Sequence, residues 1–148
     1  MPLLNQCTCT CSGLRQLTRR ITGIYDHYLS ADGLTISQYT LLARIGKYGP
    51  VGVIPLAAGM GMDRSTMSRS LKPLITAKWV AMLDLPLDML TDKRSFGVQL
   101  TDDGRYKWES AMPAWNNAQE RIADLLGEET HQNLVQIIAR SNVLLDQF

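Results

Sequence analysis

This 148-residue sequence lacks the residue patterns of common hydrolytic and metal-dependent enzymes. It has only two histidines, and it contains no glycine-framed serine elbow, no Ser-x-x-Lys and no His-Glu-x-x-His. No apolar run is long enough to span a bilayer, and the amino-terminal residues do not show the pattern of a secretory signal. We therefore expect a cytoplasmic protein with no enzymatic activity, no cofactor, no metal and no membrane partner.

Cysteine is scarce and confined to one place. Cys7, Cys9 and Cys11 alternate with threonines and are the only cysteines of the chain. Metal sites usually have paired cysteines at wider spacing, and only His27 and His131 could add an imidazole ligand. We favour ordinary reduced thiols in an amino-terminal tail. The alternative is a redox sensor that acts through a disulfide between subunits.

Charge of one sign is not in large excess, because the net formal charge is only +1. The charges are nevertheless placed unevenly along the chain. Residues 64–94 carry six Lys or Arg against three Asp or Glu, whereas residues 101–148 carry four against eight. This distribution is typical of a protein that meets nucleic acid on one side only.

The stretch that begins at Asp63 predicts an amphipathic helix with a polar face suited to DNA. Asp63 can cap the helix, and Met67, Leu71, Leu74 and Ile75 recur at helical spacing as an apolar stripe. The rest of the stretch is rich in short hydroxyls and long cations, which suit phosphates and base edges. A solvated helix face is the plain alternative. The candidate DNA contacts are Arg64, Ser65, Thr66, Ser68, Arg69 and Lys72.

Two short apolar runs follow this helix, at 79–85 and 96–100, and they predict a β-hairpin around a polar loop. The loop carries Asp92, Lys93 and Arg94. A basic tip can reach an adjacent minor groove, whose negative potential attracts cations. Asp92 would brace Arg94 through a charge-assisted hydrogen bond. A helix followed by a hairpin with a basic tip is the winged helix-turn-helix arrangement.

Helical periodicity accounts for most of the remaining chain. A short strand at 51–54 is expected to pair with the wing, and Pro113 is expected to bend or restart the helix that contains it. Helices are predicted at about 12–29, at about 55–60 and at about 101–126. Another helix begins after the capping box at Thr35, and the last one follows Gly127.

The chain resembles the multiple-antibiotic-resistance regulator (MarR) family of transcription factors. The resemblance implies a mainly α fold with a small β-hairpin wing, as one domain over 1–148. The winged helix-turn-helix core would lie at about 35–100, with dimerisation helices at 12–31 and 101–148. The residues that carry the resemblance are Leu56-Ala57, Met62-Asp63-Arg64-Ser65-Thr66, Asp92-x-Arg94, and Leu100-Thr101 followed by Gly104.

The sequence departs from the family pattern at two positions near the end of the DNA-facing helix. The family usually has glycine where Lys78 ends this helix, as suits a left-handed cap. Pro73 lies inside the helix, where it removes a backbone donor, and we expect a kink in the second half. Neither change falls on the outward face that precedes Pro73.

The resemblance implies a homodimeric repressor that binds a palindromic double-stranded DNA operator and is released by a small aromatic or phenolic ligand. Such a ligand would sit between the dimerisation helices and the DNA-binding core. Tyr25, Tyr28, Tyr39 and Trp115 are the candidate pocket residues, because aromatic rings pack and a tyrosine hydroxyl donates. For each of them, a place in an ordinary core is the alternative.

Three other interpretations stay open. The terminal helices could pack within one chain instead of forming a dimer. The cysteines could make the protein a thiol-redox-sensing regulator. The fold could also serve as a protein-interaction module that does not bind DNA, although the basic wing and the cationic helix face favour DNA.

Overall fold

The computed structural model describes residues 9–86 and 95–148. The chain divides into two compact units. One consists of Leu29–Met112, and the other combines the residues up to Tyr28 with Pro113–Phe148. None of the helices in the described residues is long and apolar enough to cross a membrane.

The Leu29–Met112 unit contains α2 (Ile36–Tyr48), α3 (Val53–Gly59) and α4 (Arg64–Thr76), together with the first part of a longer helix that begins at Asp102. The capping box at the start of α2 is confirmed. The Gln38 backbone N–H donates to Thr35 Oγ1 at 3.2 Å, and the Thr35 backbone N–H donates to Gln38 Oε1 at 3.0 Å. Two backbone donors at the helix start are thereby satisfied, which fixes where α2 begins.

A three-stranded antiparallel sheet completes this unit, in the order β1-β3-β2. Its strands are β1 (Val51–Gly52), β2 (Val80–Leu83) and β3 (Gly97–Leu100). Val98 of β3 pairs with Val51 on one side and with Met82 on the other. The predicted hairpin and its pairing with an earlier strand are therefore confirmed.

The boundary between β1 and α3 lies earlier than predicted. The strand is only two residues long because α3 begins at Val53, two residues before Pro55. The Val53 N–H donates to the Phe96 carbonyl at 3.0 Å. Val53 therefore bonds to the segment just before β3 and is also the first residue of α3. Pro55 is tolerated because the first N–H groups of a helix have no partner within the helix.

The core of this unit is mainly aliphatic and is formed by one face each of α2, α3 and α4 together with side chains of the sheet. A fully buried aliphatic side chain contributes about 1.5–3 kcal/mol through its removal from water. The helix stripes therefore hold the unit together. The largest fully buried side chains are Leu29, Leu42, Ile45, Val53, Met67, Leu71, Leu74, Val80 and Val98.

The long helices are α1 (Thr10–Leu29), α5 (Asp102–Leu126) and α6 (Glu128–Leu145). α1 begins two residues before residue 12, where the sequence pattern predicts its start. α5 contributes residues to both units and includes Pro113 within its span. Gly127 separates α5 from α6 with a positive φ of 77°, a conformation that suits glycine.

Candidate nucleic-acid interface

The start of α4 is fixed by a tight turn and a side-chain cap. Gly61 has a positive φ of 63°, and the Met62 N–H returns to the Ala57 carbonyl at 2.9 Å. Asp63 then caps the helix, as predicted. Its carboxylate accepts from the Thr66 backbone N–H and from the Thr66 hydroxyl, each at 2.8 Å. These bonds, the backbone one first, hold the pKa of the Asp63 carboxyl below its ordinary value.

The same hydrogen bonds extend along the helix to an arginine. The Thr66 hydroxyl donates to Asp63 and accepts from the Arg69 guanidinium at 3.5 Å. Asp63, Thr66 and Arg69 therefore form a chain at i, i+3 and i+6 on the polar face. In the free protein the Thr66 hydroxyl is therefore already bonded to Asp63 and Arg69. The DNA contact expected of Thr66 stays a prediction.

The two faces of α4 differ as the periodicity predicts. Met67, Leu71 and Leu74 are buried, and Ile75 is half-buried at the edge of the stripe. The six candidate DNA contacts lie outside that core. Arg64, Ser65, Arg69 and Lys72 are exposed, and Thr66 and Ser68 are half-buried.

The end of α4 has the left-handed cap that the family normally builds with glycine. The Trp79 N–H donates to the Leu74 carbonyl and the Lys78 N–H to the Ile75 carbonyl, both at 3.0 Å. This pair of bonds is the Schellman arrangement. Lys78 adopts it with φ 62°, and among the described residues it is the one non-glycine with a positive φ. α4 runs through Pro73 to Thr76.

The first turn of α5 is packed against this cap. The Thr101 hydroxyl donates to the Lys78 carbonyl at 2.7 Å and accepts from the Gly104 N–H at 3.0 Å. The Thr101 N–H donates to the Trp79 carbonyl at 3.0 Å. A Cβ at Gly104 would lie 1.9 Å from that carbonyl oxygen, so only glycine allows the approach. The hydrogen bonds of Thr101 and the close approach at Gly104 therefore anchor the end of α4 to α5.

A cation–π contact supports the same junction. The Lys107 ammonium lies 5.0 Å from the centre of the Trp79 ring. α4 is thus held at its start by the turn from α3 and at its end by the first turns of α5.

The hairpin follows this junction with the register Val80 to Leu100 and Leu83 to Gly97. The predicted wing-tip residues Asp92, Lys93 and Arg94 lie outside the described residues, and their roles remain predictions.

The comparison with protein families bears directly on this arrangement. Residues 34–89, which contain α2, α3, α4 and β2, match the family model described as MarR family. Over these residues the chain is similar to the MarR family. Members of this family are transcriptional regulators rather than enzymes. A comparison with curated proteins gives no match.

Solved structures of MarR-like regulators share the fold over nearly the whole chain. The regulator MosR of M. tuberculosis in complex with DNA is 25% identical, over 92% of this chain and 98% of that one, with a TM-score of 0.73. The repressor CouR bound to a 23-mer DNA duplex is 21% identical, over 90% and 92%, with a TM-score of 0.78. BpsR of Bordetella bronchiseptica, whose DNA binding is regulated by 6-hydroxynicotinic acid, is 20% identical, over 91% and 94%, with a TM-score of 0.77.

The four aromatic residues predicted for a ligand pocket are divided between the two units. Tyr39 is buried on α2 in the Leu29–Met112 unit, whereas Tyr25 and Tyr28 on α1 and Trp115 on α5 belong to the other. The Tyr25 hydroxyl donates to the Gln119 side-chain carbonyl. Burial raises the pKa of the Tyr25 and Tyr39 hydroxyls.

Tyr28 lines an open groove of about 400 Å³ between α1 and α5. The groove combines an apolar wall with three side chains that can meet an anion: Arg20, His27 and Arg121. The sequence prediction missed Arg121. The i, i+4 spacing of Arg121 and Leu125, which both line the groove, is the signal that could have indicated a shared face. We call this the Tyr28 groove.

Cys9 and Cys11 belong to no group of metal-binding side chains in the part of the chain that the structure describes. Cys9 and Cys11 are exposed and are not in a disulfide, and Cys7 lies outside the described residues. No group of three or more His, Cys, Asp or Glu able to hold a metal ion occurs among residues 9–86 and 95–148.

Proposed function

We propose that the protein is a homodimeric repressor that inserts α4 into the major groove of a palindromic operator. The observation that carries the proposal is the outward face of α4. Arg64, Arg69 and Lys72 are exposed on a helix whose opposite side is buried and whose two ends are fixed.

The geometry of α4 suits a major groove. Its 13 residues make a rod about 20 Å long, and the major groove of B-DNA, about 12 Å wide, admits one α-helix. Arg69 already has one hydrogen bond to Thr66, which restricts its rotamers before DNA arrives. A restricted guanidinium loses less entropy when it binds a guanine or a phosphate. MosR and CouR, two proteins of this fold, were solved with DNA.

The dimer is inferred from α6. This helix has 18 residues and no buried side chain, and its apolar residues are exposed, with Ile137 at 61% and Leu145 at 71%. An amphipathic helix derives most of its stability from packing of its apolar face. A second copy of the chain would cover that face and would supply the two-fold symmetry that a palindrome requires.

Release by a small aromatic ligand is the regulatory part of the proposal. The Tyr28 groove supports it, because one phenol ring and two guanidinium groups line a cavity large enough for a small aromatic anion. BpsR, which shares the fold, has its DNA binding regulated by an aromatic compound. Thiol oxidation is the second candidate, favoured by the exposure of Cys9 and Cys11.

The test is operator binding by single-site variants. The operator is first recovered by selection from a random DNA pool. Arg64→Ala and Arg69→Ala are each expected to weaken operator binding by about 1–3 kcal/mol, or roughly 5- to 150-fold, if the side chain is bidentate to guanine. Arg105→Ala, an exposed arginine at the start of α5, is the matched control and is expected to change affinity little.

Salt dependence separates DNA recognition from the alternative of a protein-interaction module. Binding to random duplex is expected to fall steeply with salt, because neutralised phosphates release counterions. Failure to bind any duplex at low salt would favour the interaction module. Unchanged operator affinity in both arginine variants would refute the role given to α4.

A further inference from the structure

The Thr66 hydroxyl has already spent its one proton inside α4. A threonine hydroxyl is a single donor with two acceptor lone pairs, and an ionised carboxylate can only accept. In the bond of 2.8 Å between Thr66 Oγ1 and Asp63 Oδ2, the hydroxyl is therefore the donor. Asp63 Oδ1 accepts the Thr66 backbone N–H, also at 2.8 Å, so both carboxylate oxygens hold the same residue.

This direction of the hydrogen bond limits what Thr66 can offer to DNA. Phosphate oxygens accept hydrogen bonds, and so do N7 and O6 of guanine. A Thr66 hydroxyl that donates to Asp63 has no second proton for any of these acceptors. Its lone pairs remain, and the structure shows where one of them points.

The lone pair of Thr66 Oγ1 receives Nη2 of Arg69 at 3.5 Å. A bond of this length is long for N–H···O, so it guides the guanidinium without holding it firmly. A guanidinium has five N–H donors in a planar fork. The Thr66 bond takes one hydrogen of Nη2, so one edge with two parallel donors stays intact for a base. Arg69 is exposed, whereas Thr66 is half-buried beneath it.

We propose that Thr66 is a positioning residue whose hydroxyl, oriented by Asp63, directs the Arg69 guanidinium toward one guanine of the operator, and that Thr66 itself makes no hydrogen bond to DNA. The inference rests on the proposed function, which gives Arg69 a contact with DNA. It goes further, because base selectivity then depends on a hydroxyl that does not touch the base. It replaces the direct contact that the sequence predicts for Thr66.

Two substitutions at Thr66 separate its hydroxyl from its methyl group. Thr66→Val removes the hydroxyl and keeps the branched shape, whereas Thr66→Ser keeps the hydroxyl and removes the methyl group. Both keep the backbone N–H that Asp63 caps, so the start of α4 is preserved. Asp63 itself is unsuitable, because its replacement would also remove the cap. Ser70→Ala is the matched control, since the Ser70 hydroxyl donates to the Thr66 backbone carbonyl at 2.9 Å and not to its side chain.

The first experiment is a double-mutant cycle on the selected operator. Thr66→Val is expected to weaken binding about threefold to tenfold, the range for one hydrogen bond. Thr66→Ser and Ser70→Ala are expected to stay within about twofold of the unaltered protein. In a protein that already carries Arg69→Ala, Thr66→Val should cause no further loss, because the residue that it positions is gone.

Selectivity gives a second readout of the same variants. The base pair read by Arg69 is the one at which Arg69→Ala loses discrimination among operator variants. Thr66→Val should reduce discrimination at that base pair and leave the other positions unchanged. Binding to random duplex and its salt slope should not change, because the substitution alters no charge. A general distortion of α4 would instead weaken binding to all of these duplexes.

The third measurement needs no DNA and follows the Asp63 carboxyl by NMR titration. The Thr66 backbone N–H, and after it the Thr66 hydroxyl, hold the pKa of this carboxyl below its ordinary value. Thr66→Val removes the second of these bonds to the charged form, so the pKa should rise. Thr66→Ser should keep it low. An unchanged pKa in Thr66→Val would show that the hydroxyl is not bonded to Asp63 and would overturn the proposal.

The cycle separates failure of this inference from failure of the proposed function. Unchanged operator affinity in Arg69→Ala would remove the DNA contact of Arg69, and the positioning role would fall with it. Loss of affinity in Arg69→Ala, together with an equal effect of Thr66→Val in both backgrounds, would overturn the positioning role alone and show that Thr66 contacts DNA directly. Full affinity in Thr66→Val, or a loss in Thr66→Ser as large as that in Thr66→Val, would also overturn it.

Discussion

Replacing Lys78 with glycine is expected to stabilise the protein. Lys78 has φ 62° at the cap that ends α4, and a non-glycine residue in this left-handed conformation costs roughly 1–2 kcal/mol. Glycine adopts it without that cost but loses more conformational entropy on folding, by about 0.5–1 kcal/mol. The net expectation is a gain of about 0.5–1 kcal/mol in the free energy of unfolding.

The gain should be visible in thermal denaturation. For a chain near 150 residues, 1 kcal/mol shifts Tm by about 2–4 °C, so Lys78→Gly should raise Tm by about 1–4 °C. All samples need the same protein concentration, because a dimer's Tm depends on concentration. Urea denaturation at constant slope gives the free energy directly.

Two neighbouring variants isolate the cause. Ala77, the residue just before Lys78, has an ordinary φ of −73°. Ala77→Gly should therefore destabilise the protein by about 0.5–1 kcal/mol. Lys78→Ala removes the long side chain but keeps the positive φ, so stability should change by less than about 0.5 kcal/mol. A gain in Lys78→Ala equal to that in Lys78→Gly would show that the lysine side chain, not the backbone conformation, is the source of the strain.

Two further predictions concern the α5 junction and the dimer. Gly104→Ala is expected to lower the free energy of unfolding by about 3 kcal/mol or more in urea denaturation, because its Cβ would lie 1.9 Å from the Trp79 carbonyl oxygen. The control Gly13→Ala has open space at its Cβ and should be neutral or slightly stabilising. Equal effects of the two substitutions would refute the packing argument. Ile137→Glu is expected to yield a folded monomer in sedimentation, because Ile137 is 61% exposed in the single chain and the proposed dimer would bury the new charge. The control Gln136→Glu changes a residue that is also exposed and should leave the dimer intact. A dimer in both variants would place the interface away from the face of α6 that contains Ile137.

The helix caps and the buried helix stripe that the structure confirms rest on local patterns. The capping box at Thr35 and the cap at Asp63 each join residues three apart, so a short stretch of sequence contains the whole interaction. The buried stripe of Met67, Leu71 and Leu74 follows from helical periodicity alone. Such features depend little on what the rest of the chain does.

The boundaries and grooves were harder to predict because they depend on contacts distant in sequence. α3 begins at Val53 because the Val53 N–H bonds to Phe96, more than forty residues away. The left-handed cap at Lys78 was only implied by resemblance, since lysine itself does not favour it. The Tyr28 groove requires the relative placement of α1 and α5, which periodicity does not give.

The proposed control of operator binding requires α4 to take different positions in two states, because a ligand shifts an equilibrium only through differential affinity. The start of α4 is tied to α3 through the turn at Gly61 and the cap at Asp63. Its end is tied to α5 through Thr101 and Gly104, by bonds that leave no room for a side chain. Substitutions at Gly104 should therefore disturb stability and operator affinity together, whereas Arg69→Ala should disturb operator affinity alone. A Gly104 variant that unfolds more readily but binds the operator with full affinity would show that the α5 junction is not needed to position α4.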